Sequence, residues 1–148
     1  MANQPNDYLY QLIRSLTKAE KRSFKIYALR SSSEEAKFIQ LFDAIDKAKD
    51  YDEDLILQKL EGVKKTQLSN LKAHLYRQLL TSLRLNYTNH NIDIQLREQI
   101  DYARILYDKG LYKQSLKILD KAKLVAHDHH RVPLSSEILG FEKLIESQ

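Results

Sequence analysis

No cysteine and no tryptophan occur among the 148 residues, and there are only three glycines and two prolines. The missing cysteines exclude disulfides, thiolate zinc sites and cysteine nucleophiles together. Glycine and proline make up about 3% of the chain, where an average protein has roughly 12%. A β-sandwich, a barrel or a doubly wound sheet needs many tight turns, which so few turn-forming residues do not supply. No two glycines lie close together, which excludes a glycine-rich phosphate loop. No apolar run approaches the roughly 18 residues of a membrane helix. The opening residues, Met1 to Asp7, lack the basic start and apolar stretch of a secretory signal. The expectation is a soluble, cytoplasmic, all-α protein with 30% charged residues and a formal net charge of +4.

Apolar spacing predicts about eight helices. The first covers Tyr8 to Leu16 behind an Asp7 cap, with Tyr8, Leu9, Leu12, Ile13 and Leu16 expected on one face. Thr17 and Glu20 have the spacing of a capping box and open a helix that buries Phe24, Tyr27 and Ala28. Ser31-Ser32-Ser33 is a break, and Ser32 with Glu35 is a second candidate box. Phe38, Leu41, Phe42 and Ile45 then mark a third amphipathic helix. Asp50 to Asp54 forms an acidic turn before a short helix that Gly62 is expected to close in the left-handed conformation. A long helix from about Thr66 to Tyr87 repeats leucine every three or four residues, and Tyr76, Leu80 and Tyr87 are expected to give it a second buried side. Asn86 to Asn91 is the best internal boundary, separating residues 1–88 from residues 92–148. The remaining helices are placed near Gln95–Lys109, Tyr112–Ala126 and Leu134–Glu146.

From Ala103 to Ala122 the residues resemble a tetratricopeptide repeat, a 34-residue helical hairpin. Ala103 matches its small mid-helix residue, Gly110 and Tyr112 its turn, and Ser115, Leu119 and Ala122 its second helix. A Trp near Gln99 and a Pro near His127 are missing, and Leu139-Gly140 matches the Leu-Gly pair of a following repeat displaced by about three residues. The resemblance covers residues 96–147 and implies antiparallel hairpins in a right-handed α-solenoid fragment. The stretches Leu12 to Arg22 and Leu41 to Asp46 resemble the opening of an uncharacterised bacterial family of longer helical-repeat proteins. That resemblance implies that the chain is truncated from a longer array, the alternative being that Leu134–Glu146 is its cap. Arrays of this kind bind protein or peptide partners on surfaces formed by first helices, which makes Gln99, Tyr102 and Arg104 the candidate contacts.

Charge suggests an alternative. Gly62 to Ile92 contains no acid but five cations, Lys64, Lys65, Lys72, Arg77 and Arg84. The turn at Gly62-Val63 followed by a basic helix has the outline of a helix-turn-helix across residues 52–88, and those five would contact nucleic-acid phosphates. Glu61 and Gln58 occupy positions where that motif wants an apolar and a small residue. A second cationic stripe, Lys18, Lys21, Arg22 and Lys25, reads as the solvent face of its helix.

Few residues invite chemistry. His127, Asp128, His129 and His130 are the densest group of metal-ligand types, but at a helix end they complement the dipole, and no metal site is assigned. His74 is expected to be a partly buried, hydrogen-bonded histidine. No serine has the setting of an activated nucleophile, and Glu34-Glu35 and Asp52-Glu53-Asp54 stand at helix starts. The chain is therefore read as non-enzymatic, with no catalytic residue and no cofactor. Tyrosine serves both interfaces and helix packing: Tyr112 is read as packing, whereas Tyr102 and Tyr107 fit either use.

Overall fold

A computed structural model describes residues 7–30, 35–88 and 90–148, and all of the regular structure among them is helical. The described residues form α1 (Tyr8–Ser15), α2 (Lys18–Ala28), α3 (Glu35–Lys47), α4 (Glu53–Gln58), α5 (Lys65–Tyr87), α6 (Ile92–Asp108), α7 (Tyr112–Asp128) and α8 (Val132–Glu146). They fall into two compact units, residues 1–86 and 87–148.

Local chemistry sets the helix ends in the first unit. Asp7 Oδ1 accepts the Tyr10 N–H at 2.9 Å and starts α1. Thr17 and Glu20 form the reciprocal capping box of α2, at 3.1 and 2.9 Å. The candidate box at Ser32 lies outside the described residues. Asp52 caps α4, which ends at Gln58 with Lys59 still in helical conformation. Gly62 is left-handed (φ +71°) but stands in the turn beyond α4 rather than at its last residue. One further tie closes α3: the Arg14 guanidinium donates to the carbonyls of Ala48 and Lys49, and the Tyr10 hydroxyl donates to Lys49 at 2.8 Å. These donors meet carbonyls that the helix end leaves unpaired.

The unit 1 core draws Leu9 and Ile13 from α1, Phe24 from α2, Leu41, Phe42 and Ile45 from α3, Ile56 from α4, and Leu68, Leu75 and Leu79 from α5. Phe24 and Phe42 meet at 5.1 Å between ring centroids. Around this contact Lys21 pairs with Asp46 at 2.6 Å and Lys25 with Asp43 at 3.0 Å, so half of the cationic stripe on α2 bridges to α3. Helix α5 buries one side only. Tyr76 packs on the core, whereas Leu80 and Tyr87 are exposed, and the expected second buried side is absent.

In unit 2, three helices are joined by three-residue connections, and α7 packs on both α6 and α8. Asn91 Oδ1 accepts the Ile94 N–H at 3.2 Å, which begins α6 three residues before its sequence-expected start. Ala103 and Ser115 are fully buried against one another, and the Ser115 hydroxyl donates to the Ala103 carbonyl at 2.7 Å. Side chains this small bring the two backbones close, and Leu119 and Ala122 continue the seam. Both connections use the same closure. Gly110 (φ +78°) follows α6, with Gly110 N–H to Tyr107 O and Leu111 N–H to Leu106 O, both at 2.9 Å. His130 (φ 56°) repeats it after α7, with bonds to His127 O and from Arg131 to Ala126 O. The paired bonds are those of a Schellman motif, which favours glycine at the left-handed position.

Ala103→Leu is expected to force α6 and α7 apart at a cost of about 1–3 kcal/mol, seen as a lower urea midpoint. His130→Gly removes the side-chain penalty of the left-handed residue and is expected to raise stability by up to about 1 kcal/mol in the same measurement.

Candidate functional site

The expected partner contacts lie on α6, but they do not share a side of it. Gln99 and Tyr102 are three residues apart on one edge, with Gln99 half-buried and Tyr102 45% exposed. Arg104 is two residues from Tyr102 and points the other way, its guanidinium 4.2 Å from the Phe141 ring centroid on α8 and 5.6 Å from that of Tyr107. Arg104 therefore covers the aromatic group of Tyr107, Phe141 and Tyr112, whose neighbouring centroids are 5.4–5.7 Å apart. The residue that joins Tyr102 on its edge is Ile105, 52% exposed. Its signal in the sequence is a position out of step with the buried series Leu96, Ala103 and the half-buried Ile100 and Tyr107.

The five cations of Gly62 to Ile92 do not converge either. Lys64 is exposed at the turn before α5, and Lys65 lies 3.9 Å from Asp54. Arg77 Nη2 is 3.3 Å from His74 Nδ1, and Arg84 lies two turns beyond Arg77. Lys72 faces inward, where its ammonium sits 2.5 Å from Asp7 Oδ2 and 4.7 Å from the Tyr51 ring centroid. Its side chain is 18% exposed and that of Asp7 8%, so this is a largely desolvated pair. Burial works against the Lys72 charge, but the Asp7 hydrogen bond and Tyr51 outweigh it and hold the ammonium above the ordinary lysine value. Burial likewise raises the Tyr51 phenol, which Lys72 only partly offsets. The pair ties the N-terminal cap of α1 to the middle of α5.

A surface hollow of about 460 Å³ opens between α3 and α5. Phe38, Val63 and Leu71 supply its apolar lining, and Asn70, His74 and Gln78 its polar wall. His74 is exposed there rather than partly buried, with its ring 6.0 Å from Phe38. At the mouth Gln67 Oε1 accepts the Lys64 N–H at 3.0 Å, which fixes the turn that leads into α5.

In unit 2, the Lys123 ammonium lies 3.0 Å from Glu142 Oε2 and is raised above the ordinary lysine value by that hydrogen bond. Arg131 holds Asp93 at 2.8 Å across the helix ends. His127, His129 and His130 are exposed, and no group of three or more metal-ligating side chains forms among the described residues. No helix among them is long and apolar enough to cross a membrane. Comparison with protein-family models, curated proteins and solved structures returns no match to this chain.

Asp7→Ala removes a helix cap and strands a half-buried ammonium, so a loss of about 2–4 kcal/mol is expected in urea unfolding. Asp7→Asn combined with Lys72→Met removes both charges and is expected to cost clearly less than Asp7→Asn alone. Lys72 and Tyr51 both bind their protons more tightly folded than unfolded. Their stabilisation is complete below the unfolded values near pH 10 and fades as pH climbs through the raised folded ones. The urea midpoint is therefore expected to fall above about pH 10, and to fall less in Lys72→Met with Tyr51→Phe.

Proposed function

We propose that this protein is a cytoplasmic, non-enzymatic helical-repeat module that binds another protein, with residues 92–148 as a tetratricopeptide-like hairpin and its following helix. The observation that carries this reading is the α6–α7 seam, where Ala103, Ser115, Leu119 and Ala122 pack at the positions of the repeat pattern and Gly110 makes the turn. Repeat hairpins of this kind spend their small residues on close helix packing and leave the outer side of the first helix for a ligand. On α6 that side presents Tyr102 and Ile105, with Gln99 beside them. An aromatic ring and an aliphatic side chain at i and i+3 make an anchor for an extended peptide or a helix. Arg104 enters this reading as the residue that holds the aromatic group between α6 and α8.

Nucleic-acid binding through Lys64, Lys65, Lys72, Arg77 and Arg84 is the competing reading, carried by the acid-free stretch from Gly62 to Ile92. With Lys72 occupied by Asp7, at most four of these cations would contact phosphates. Four contacts give a slope of about −3.6 in log affinity against log salt, or roughly a 150-fold loss between about 50 and 200 mM.

The test is capture of proteins from a bacterial extract on the immobilised chain, compared with Tyr102→Asp and Ile105→Asp. The expected result is a specific partner that the wild type retains and both variants lose by at least about tenfold, with melting curves unchanged. Retention of the same proteins by the variants, or of none by the wild type, rejects the α6 surface. Anisotropy with single- and double-stranded DNA showing the steep salt slope would move the assignment to nucleic acid.

A further inference from the structure

A second hollow, of about 400 Å³, opens between α1 and α5. Leu9, Ala73 and Tyr76 line it with apolar surface, and Tyr8 stands at its α1 side with 74% of its surface exposed. The charged residues of the lining are Asp7, Lys72 and Arg77, and no residue of α3 or α4 belongs to it. Asp7 is the one acid between Met1 and Ser15, and α5 contains none. Lys72 holds that acid at 2.5 Å, so the two charges cancel. Glu53 of α4 acts on the Tyr51 phenol, which does not line the hollow. Arg77 has one polar contact, to His74 Nδ1 at 3.3 Å, and no ion pair among the described residues. One uncompensated positive charge is left, beside apolar and aromatic walls.

This arrangement narrows the ligand. A guanidinium presents paired N–H donors that match the two oxygens of a carboxylate. The space is at the small end of ligand-binding clefts, and its walls suit one aromatic or aliphatic group. The complement is a single negative charge next to a single apolar group. The C-terminal residue of a protein carries both on one Cα. An internal acid beside an apolar residue does not, because consecutive side chains of an extended chain point to opposite faces. Nucleic acid fits less well, since its affinity draws on several phosphate contacts and the hollow offers one unpaired cation.

We propose that the α1–α5 hollow captures the C-terminal residue of a partner protein. The terminal carboxylate lies on the Arg77 guanidinium, and an aromatic or leucine side chain packs against Leu9, Ala73 and Tyr76. This rests on the reading of the chain as a protein-binding module and adds to it a second recognition surface, in the other unit, with the chemistry of what it recognises.

The whole chain, labelled with ¹⁵N, is titrated with an acetylated Gly-Ser-Gly-Ser-Phe peptide whose C-terminus is a free carboxylate. The same peptide with a C-terminal amide is the comparison. The acid is expected to shift the backbone signals of Leu9, Ala73, Tyr76 and Arg77 and the Arg77 Nε–H, and the amide to bind about three- to fivefold more weakly. Arg77→Gln is expected to remove the preference for the acid. Ala73→Asp, which sets a carboxylate four residues before Arg77, is expected to weaken the acid by a similar factor. Both positions are exposed, and melting curves of the two variants are expected to match the wild type. No shift at these residues at about 5 mM acid, an equal response to the amide, or a preference that survives Arg77→Gln overturns the proposal. Shifts at Tyr102 and Ile105 in place of these overturn it while leaving the α6 reading standing, and that reading fails only in the capture experiment.

Discussion

Helices of 6 to 23 residues with one polar side gain little from their own hydrogen bonds in water, so each one here depends on the face it shares with a neighbour. The shortest ones show this most directly. Helix α1 has eight residues, and it is held by Leu9 and Ile13 in the core, by the Asp7–Lys72 pair and by Arg14 on the carbonyls after α3. Helix α4 has six, and Ile56 with the flanking Tyr51 and Leu60 supplies its buried side. In unit 2 the same dependence is met by close approach instead of bulk. Ala103 and Ser115 let α6 and α7 nearly touch, and the Ser115 hydroxyl is satisfied by the Ala103 carbonyl rather than left unpaired in a dry seam.

The two units therefore stabilise helices by different means, with consequences for surface chemistry. Unit 1 spends its charges inward and sideways, with Lys72 on Asp7, Lys21 on Asp46 and Lys25 on Asp43. What this leaves open on α5 is a wall of carboxamides, a histidine and an arginine without a carboxylate among them. Unit 2 packs small and aliphatic residues inward and leaves Tyr102 and Ile105 outside.

Much of the fold is legible in the sequence because its signals are local. Asp7, Thr17 with Glu20, and Gly110 mark helix ends through hydrogen bonds that span at most a few residues. Leu68, Leu75 and Leu79 mark the buried side of α5 by spacing alone. That same spacing contained more than a count of cations reveals. Lys72 stands four residues after Leu68 and three before Leu75, on the buried stripe, so its inward course was readable. Gln99, Tyr102 and Arg104 were similarly divided by spacing, since residues two apart cannot share a helix face.

By itself the sequence determined the all-α class, most helix boundaries, the small-residue seam from Ala103 to Ala122 and the left-handed turn at Gly110, because periodicity, caps and turn conformations act over one or two turns of chain. Only the tertiary structure decided that Asp7 is the partner of Lys72, that Leu80 and His74 stay exposed, that Arg104 lies on Phe141 and that Phe38 of α3 meets His74 of α5 beside a surface hollow. Each of these depends on which helix faces which across tens of residues, and a pattern read along one helix contains no information about the chemistry of the face opposite.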